Sequence, residues 1–197
     1  MNRTGAGLGA VASAALVVAV GSATLVVQDD DARTGAVVPA AAAAAPPVGP
    51  VGPAERALAQ RAMRLVDVDP AALGVRVRLA GARSGVRATA DTVARVVTLH
   101  VRREPAHRLA HDLAHELGHV VDRDRLTTAT RERWLRARGA RAPWSSGTAS
   151  DYASGAGDFA EVYAACHAAS PEFRSKLAPA PADACGALAD LPVRRQR

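Results

Sequence analysis

Residues 105–122 read PAHRLAHDLAHELGHVVD, a helical pattern around which the other elements can be placed. Pro105 suits the first turn of a helix, and the pattern continues through His111, Leu113 and Ala114 to about Asp122. Inside the helix, His115-Glu116-Leu117-Gly118-His119 fits H-E-x-x-H. Four residues make a little over one turn, so His115 and His119 share a face and can both aim an imidazole nitrogen at one Zn²⁺. Glu116 projects beside that metal position, where it can take a proton from a bound water: a general base next to a Lewis acid. The chain has six His in 197 residues, so an accidental match is a weak rival. His107 and His111 extend the series, but each four-residue step drifts about 40° around the helix. Neither is assigned to zinc.

Upstream, Ala54 to Val66 has a helical pattern, and Leu73–Leu79 alternates Val75, Val77 and Leu79 with Arg76 and Arg78, as a half-buried strand does. Gly81 and Gly85 bracket a turn, and Val86–Ala90 and Val96–Val101 are two more strand-like runs. The three predict a small antiparallel sheet packed on the active-site helix. A substrate strand is expected at the edge near Val96–Val101. Downstream, Thr127 to Thr130 caps a helix that runs to about Arg138, Gly139 to Gly157 reads as an irregular loop, Asp158 to Ala169 is a helix, and Pro171 opens a last short one. The class is α+β, with a mostly helical second half, over residues 54–197.

A catalytic zinc needs a third protein ligand. The metzincin continuation requires Gly at 122 and His at 125; Asp122 and Arg125 stand there, which excludes that class. The ligand must come from further on, and Asp158-Phe159-Ala160-Glu161 places two carboxylates three residues apart on one helical face. Asp122 either holds a ligand imidazole or caps the helix end with Arg123.

With H-E-x-G-H followed by Phe159-Ala160-Glu161, and Tyr152 ahead of them, the chain resembles the gluzincin metallopeptidases, and within them the catalytic domains similar to bacterial lethal factor. The likeness covers about Pro105 to Ala165 and implies a zincin-like fold, one catalytic Zn²⁺ and a peptide or protein substrate. It also implies that Tyr152 stabilises the developing oxyanion or protonates the leaving amine; a packing role is the alternative. In that family the first acid of E-x-x-x-E binds zinc, and Gly157 occupies its position here. Two assignments follow. Either Asp158, at the helix start, binds zinc and Glu161 orients a histidine from behind, or Glu161 itself binds; the first is preferred.

At the amino end, Leu8–Val27 carries no charge, long enough to span a bilayer as a helix. Arg3 ahead of it and Asp29-Asp30-Asp31 behind it orient the rest of the chain outward. Residues 1–27 are therefore expected to be a signal peptide or membrane anchor, and the protein extracytoplasmic, anchored or secreted. Residues 28–53, with six consecutive Ala and Pro-Pro-Val-Gly-Pro-Val-Gly-Pro, read as an extended spacer. Cys166 and Cys185, the only cysteines, are expected to pair in an oxidising compartment.

Aromatic residues are only 3%, so the core must be built from Ala, Val and Leu. Residues 57–197 hold 22 basic and 15 acidic side chains, a net of +7, which attracts anionic surfaces. The arginines are scattered and no aromatics interleave with them, which argues against nucleic acid. The expected protein is a monomeric, exported zinc metallopeptidase; the rival is a zinc-stabilised, non-catalytic cell-envelope binding module.

Overall fold

A computed structural model describes residues 50–147 and 150–192. The apolar segment and nearly all of the spacer lie outside the described residues, and no described helix is long and apolar enough to cross a membrane.

The described residues form five helices, α1 (Pro53–Met63), α2 (Ala106–Arg125), α3 (Thr128–Ala137), α4 (Gly155–His167) and α5 (Ala184–Ala189), and three strands, β1 (Arg76–Gly81), β2 (Ala88–Asp91) and β3 (Val96–Val101). This is α+β, as the patterning implied. The sheet corrects one expectation: its order is β1-β3-β2, with β1 parallel to β3 and only β2 antiparallel to it. Burial explains the order. Val97, Leu99 and Val101 make β3 the most apolar strand and are fully buried, so β3 takes the centre, while Arg76, Arg78 and Asp91 keep β1 and β2 at the edges with side chains in water. Successive strands reverse direction, and residues 82–87 carry the chain from one side of β3 to the other, so the first and third strands run the same way. The consequence is that Val96–Val101 has no free edge for a substrate; β2 has one.

Local chemistry sets the helix ends. Pro53 starts α1, Thr127 Oγ1 accepts from Thr130 N at 3.1 Å to cap α3, and Ser154 Oγ accepts from Gly157 N at 3.0 Å to cap α4. The Ser154 cap starts α4 at Gly155, inside the stretch expected to be loop. The last helix is α5, capped by Asp183, which accepts from Gly186 N at 2.8 Å, and it does not open at Pro171; Ser170 to Ala182 has no regular structure.

The core is made of Leu109, Leu113, Leu117 and Val120 of α2, Leu58 and Ala62 of α1, β3, and Val162 and Ala164 of α4. It is the small-residue core the composition requires, with Trp134 and Phe159 as buried aromatics meeting edge to face at 5.4 Å between centroids. Gly118 lets α2 and α4 approach closely: a Cβ there would lie 2.9 Å from Ala160 Cα and 3.1 Å from Tyr163 Cβ. The Cys166–Cys185 disulfide is formed and ties the end of α4 to α5.

Candidate metal centre and cleft

Because α2 is buried on nearly every face, its polar residues His111, Asp112, His115 and Asp122 sit in the interior and each must find a partner. Those partners build the site. His115 Nδ1 donates to Glu161 Oε1 at 2.7 Å, which puts the free lone pair of the ring on Nε2. That atom lies 3.0 Å from Asp151 Oδ2 and 3.2 Å from His119 Nε2. His119 Nε2 is also 3.2 Å from Asp151 Oδ2. His115, His119 and Asp151 thus form a group whose ligand atoms can hold a metal ion.

The donor set passes a geometric test. Zinc bonds of about 2.0–2.1 Å in a tetrahedron place ligand atoms about 3.3 Å apart, close to the three separations here. Two imidazole nitrogens and a carboxylate oxygen are also the donor types that zinc takes.

The helical pattern of carboxylates does not single out Asp151, which lies on the short 3-10 turn Asp151–Ala153 just before α4. Gly157 explains its arrival. A Cβ at 157 would collide with the main-chain carbonyl of Asp151 and lie 2.8 Å from its Oδ2, so the position where a helical acid was expected is filled from the preceding turn. A glycine at that point of an otherwise intact motif was the available signal.

The structure does not bring Asp158 to the histidines. Its carboxylate is fully buried, accepts from Trp134 Nε1 and Arg138 Nε at 2.9 Å each, and also takes the Ser175 hydroxyl. Glu161, equally buried, stands behind His115 and not among the converging atoms. It also accepts from His111 Nε2 at 3.1 Å. His111 Nδ1 has no partner among the described residues, so its proton belongs on Nε2, facing Glu161. Asp122 touches no imidazole; it accepts from Arg131 Nε at 2.9 Å and Trp144 Nε1 at 3.0 Å, fixing α2 to α3 and to the loop after it.

Glu116 and Tyr152 face the same cleft as the converging atoms. The cleft holds about 440 Å³ and is walled on one side by Gly85 to Ala90, the approach to β2 and most of the strand. Burial pushes the Glu116 carboxyl up, with Asp151 and Asp112 adding to it and the two histidines opposing. Burial would lower His115, but its bonds to Asp151 and Glu161 outweigh it and push the ring up to about 10. Burial likewise opposes ionisation of Glu161, yet His111 and His115 hold it down to about 2, and His115 and His119 hold Asp151 well below the carboxylate range. The acids around these rings therefore demand a positive charge at the centre, which a proton or a metal ion can supply.

Tyr152 lies edge-on to His115, with centroids 5.4 Å apart, and its hydroxyl accepts from Arg174 Nη1 at 3.3 Å. Arg87 beside the cleft is neutralised by Asp112, at 3.0 Å from Nε, and Glu104, at 2.8 Å from Nη2.

In comparisons with family models, curated proteins and solved structures, the chain matches none of them.

Proposed function

We propose that the domain is a zincin-like zinc metallopeptidase whose third ligand is Asp151, in place of the Asp158 or Glu161 expected from pattern. The observation that carries the reading is the convergence of His115 Nε2, His119 Nε2 and Asp151 Oδ2 within 3.0–3.2 Å of one another, in a cleft that Glu116 also lines. A structural zinc site has no use for a carboxylate at that place.

A zinc ion bound there supplies Lewis acidity toward a water and toward the substrate carbonyl. Glu116 accepts the proton of the attacking water and passes it to the departing amine. Its burial suits it to hold that proton between the two transfers. Tyr152 accepts from Arg174, which leaves its own O–H free to donate to the oxyanion. Glu161 fixes the ring of His115. The peptide lies along β2. Because Arg87 O accepts from His100 N at 2.9 Å, the alternation of an antiparallel ladder turns the N–H and C=O of Ala88 and Ala90 outward, where an extended chain can pair with them. The Cys166–Cys185 bond fits an exported protein.

The test is metal content and peptide hydrolysis of the full-length chain. One zinc per chain is expected, lost in His115→Ala and Asp151→Ala and kept in Asp158→Ala. Glu116→Gln should keep the metal and lose about 100-fold or more in hydrolysis. Zinc bound by a wild-type chain that cleaves no peptide would favour the non-catalytic envelope module.

A further inference from the structure

The disulfide joins α4 to α5 and closes the irregular stretch between Cys166 and Cys185 into a loop. That loop reaches the metal centre at several points. The main-chain N–H of Arg174 donates to Glu161 Oε2. The Arg174 guanidinium donates to Asp112 Oδ1 at 2.7 Å and to the Tyr152 hydroxyl at 3.3 Å, and Glu172 braces its other nitrogen. Lys176 N donates to the main-chain carbonyl of Tyr152 at 2.7 Å. The contacts therefore fall on Glu161, which holds His115, and on Tyr152, the direct neighbour of Asp151. A loop without helix or strand gains little order from its own backbone, so its hold on these groups depends on its tethers: the disulfide that closes it, and the bonds of Ser175 to Asp158 and of the Pro179 carbonyl to Arg138.

We propose that the disulfide-closed loop is part of the metal site, and that Arg174 is its positioning residue: the main-chain N–H fixes Glu161 behind His115, and the guanidinium fixes Tyr152 at the cleft. The inference rests on the metallopeptidase reading and adds to it a support that H-E-x-x-H does not contain. The two halves of Arg174 separate cleanly. Losing the closure loosens both contacts, whereas shortening the side chain removes only the second.

The experiment compares wild type, Cys166→Ala/Cys185→Ala, Arg174→Met and Arg174→Lys as full-length chains. Zinc affinity is measured by competition with a chromophoric chelator, kcat and KM on a peptide, and folding by circular dichroism at the assay temperature. The double cysteine variant is expected to stay folded and bind zinc about tenfold or more weakly. Arg174→Met is expected to bind zinc within about twofold of wild type while kcat falls about tenfold at nearly constant KM, with part of the loss recovered in Arg174→Lys. A folded double variant with unchanged zinc affinity would overturn the proposal, as would wild-type kcat in Arg174→Met. If the double variant does not fold, the Arg174 pair decides, since damage to the fold alone would not spare KM and zinc affinity or be relieved by lysine. A wild type that binds no zinc would overturn both this inference and the metallopeptidase reading. One that binds and cleaves but is indifferent to every variant would overturn this inference alone.

Discussion

Asp158 and Glu161 sit one turn apart on α4, and both are fully buried, yet they serve different parts of the molecule. Asp158 faces α3 and the carboxy-terminal loop, where Trp134, Arg138 and Ser175 satisfy it. Glu161 faces α2, where His111 and His115 satisfy it. Both are carboxylates, both are buried and both lie on one helix; the neighbours differ. A carboxylate's role is thus set by which helix lies opposite, and the spacing of acids along one helix cannot reveal it.

The largest effect that tests this contrast is Asp158→Ala. It strands the nearly buried Arg138 and should cost about 3–5 kcal/mol in denaturant unfolding, while the molecules that remain folded keep their zinc. Loss of zinc without loss of stability would reverse the contrast. Glu161→Gln should do the opposite, weakening zinc affinity by about 10–100-fold in chelator competition. Gly157→Ala probes the same helix from a third position. Its methyl meets Asp151, and the strain should cost about 1–3 kcal/mol of stability, with zinc binding weakened as Asp151 is displaced. The smallest effect belongs to the exposed Glu132–Arg136 pair on α3: Glu132→Ala should change stability by less than about 0.5 kcal/mol.

His115, Glu116 and His119 were legible in the sequence because their relationship is local: one helix places all three, and a helix is what the pattern specifies. Asp151 was not, because its position depends on the turn that Ser154 terminates, and nothing periodic marks a turn. The same distinction holds in the fold. The strands were legible as alternating or apolar runs, but the parallel pairing of β1 with β3 depends on which strand takes the centre. That choice is a competition among all three for burial, which β3 wins through Val97, Leu99 and Val101. The pairing of Cys166 with Cys185 needed no such competition, since they are the only cysteines.

Gly118 lies inside H-E-x-x-H at a position the motif leaves open, and the axes of α2 and α4 are drawn together there because it has no side chain. One of those helices carries the two imidazoles and the other carries Glu161. The gap between them is therefore gauged by a missing methyl group, and the 2.7 Å reach from His115 to Glu161 is a dimension that one added carbon would stretch. The tolerance of the centre is set on the face of the helix that meets α4, by an atom that is not there.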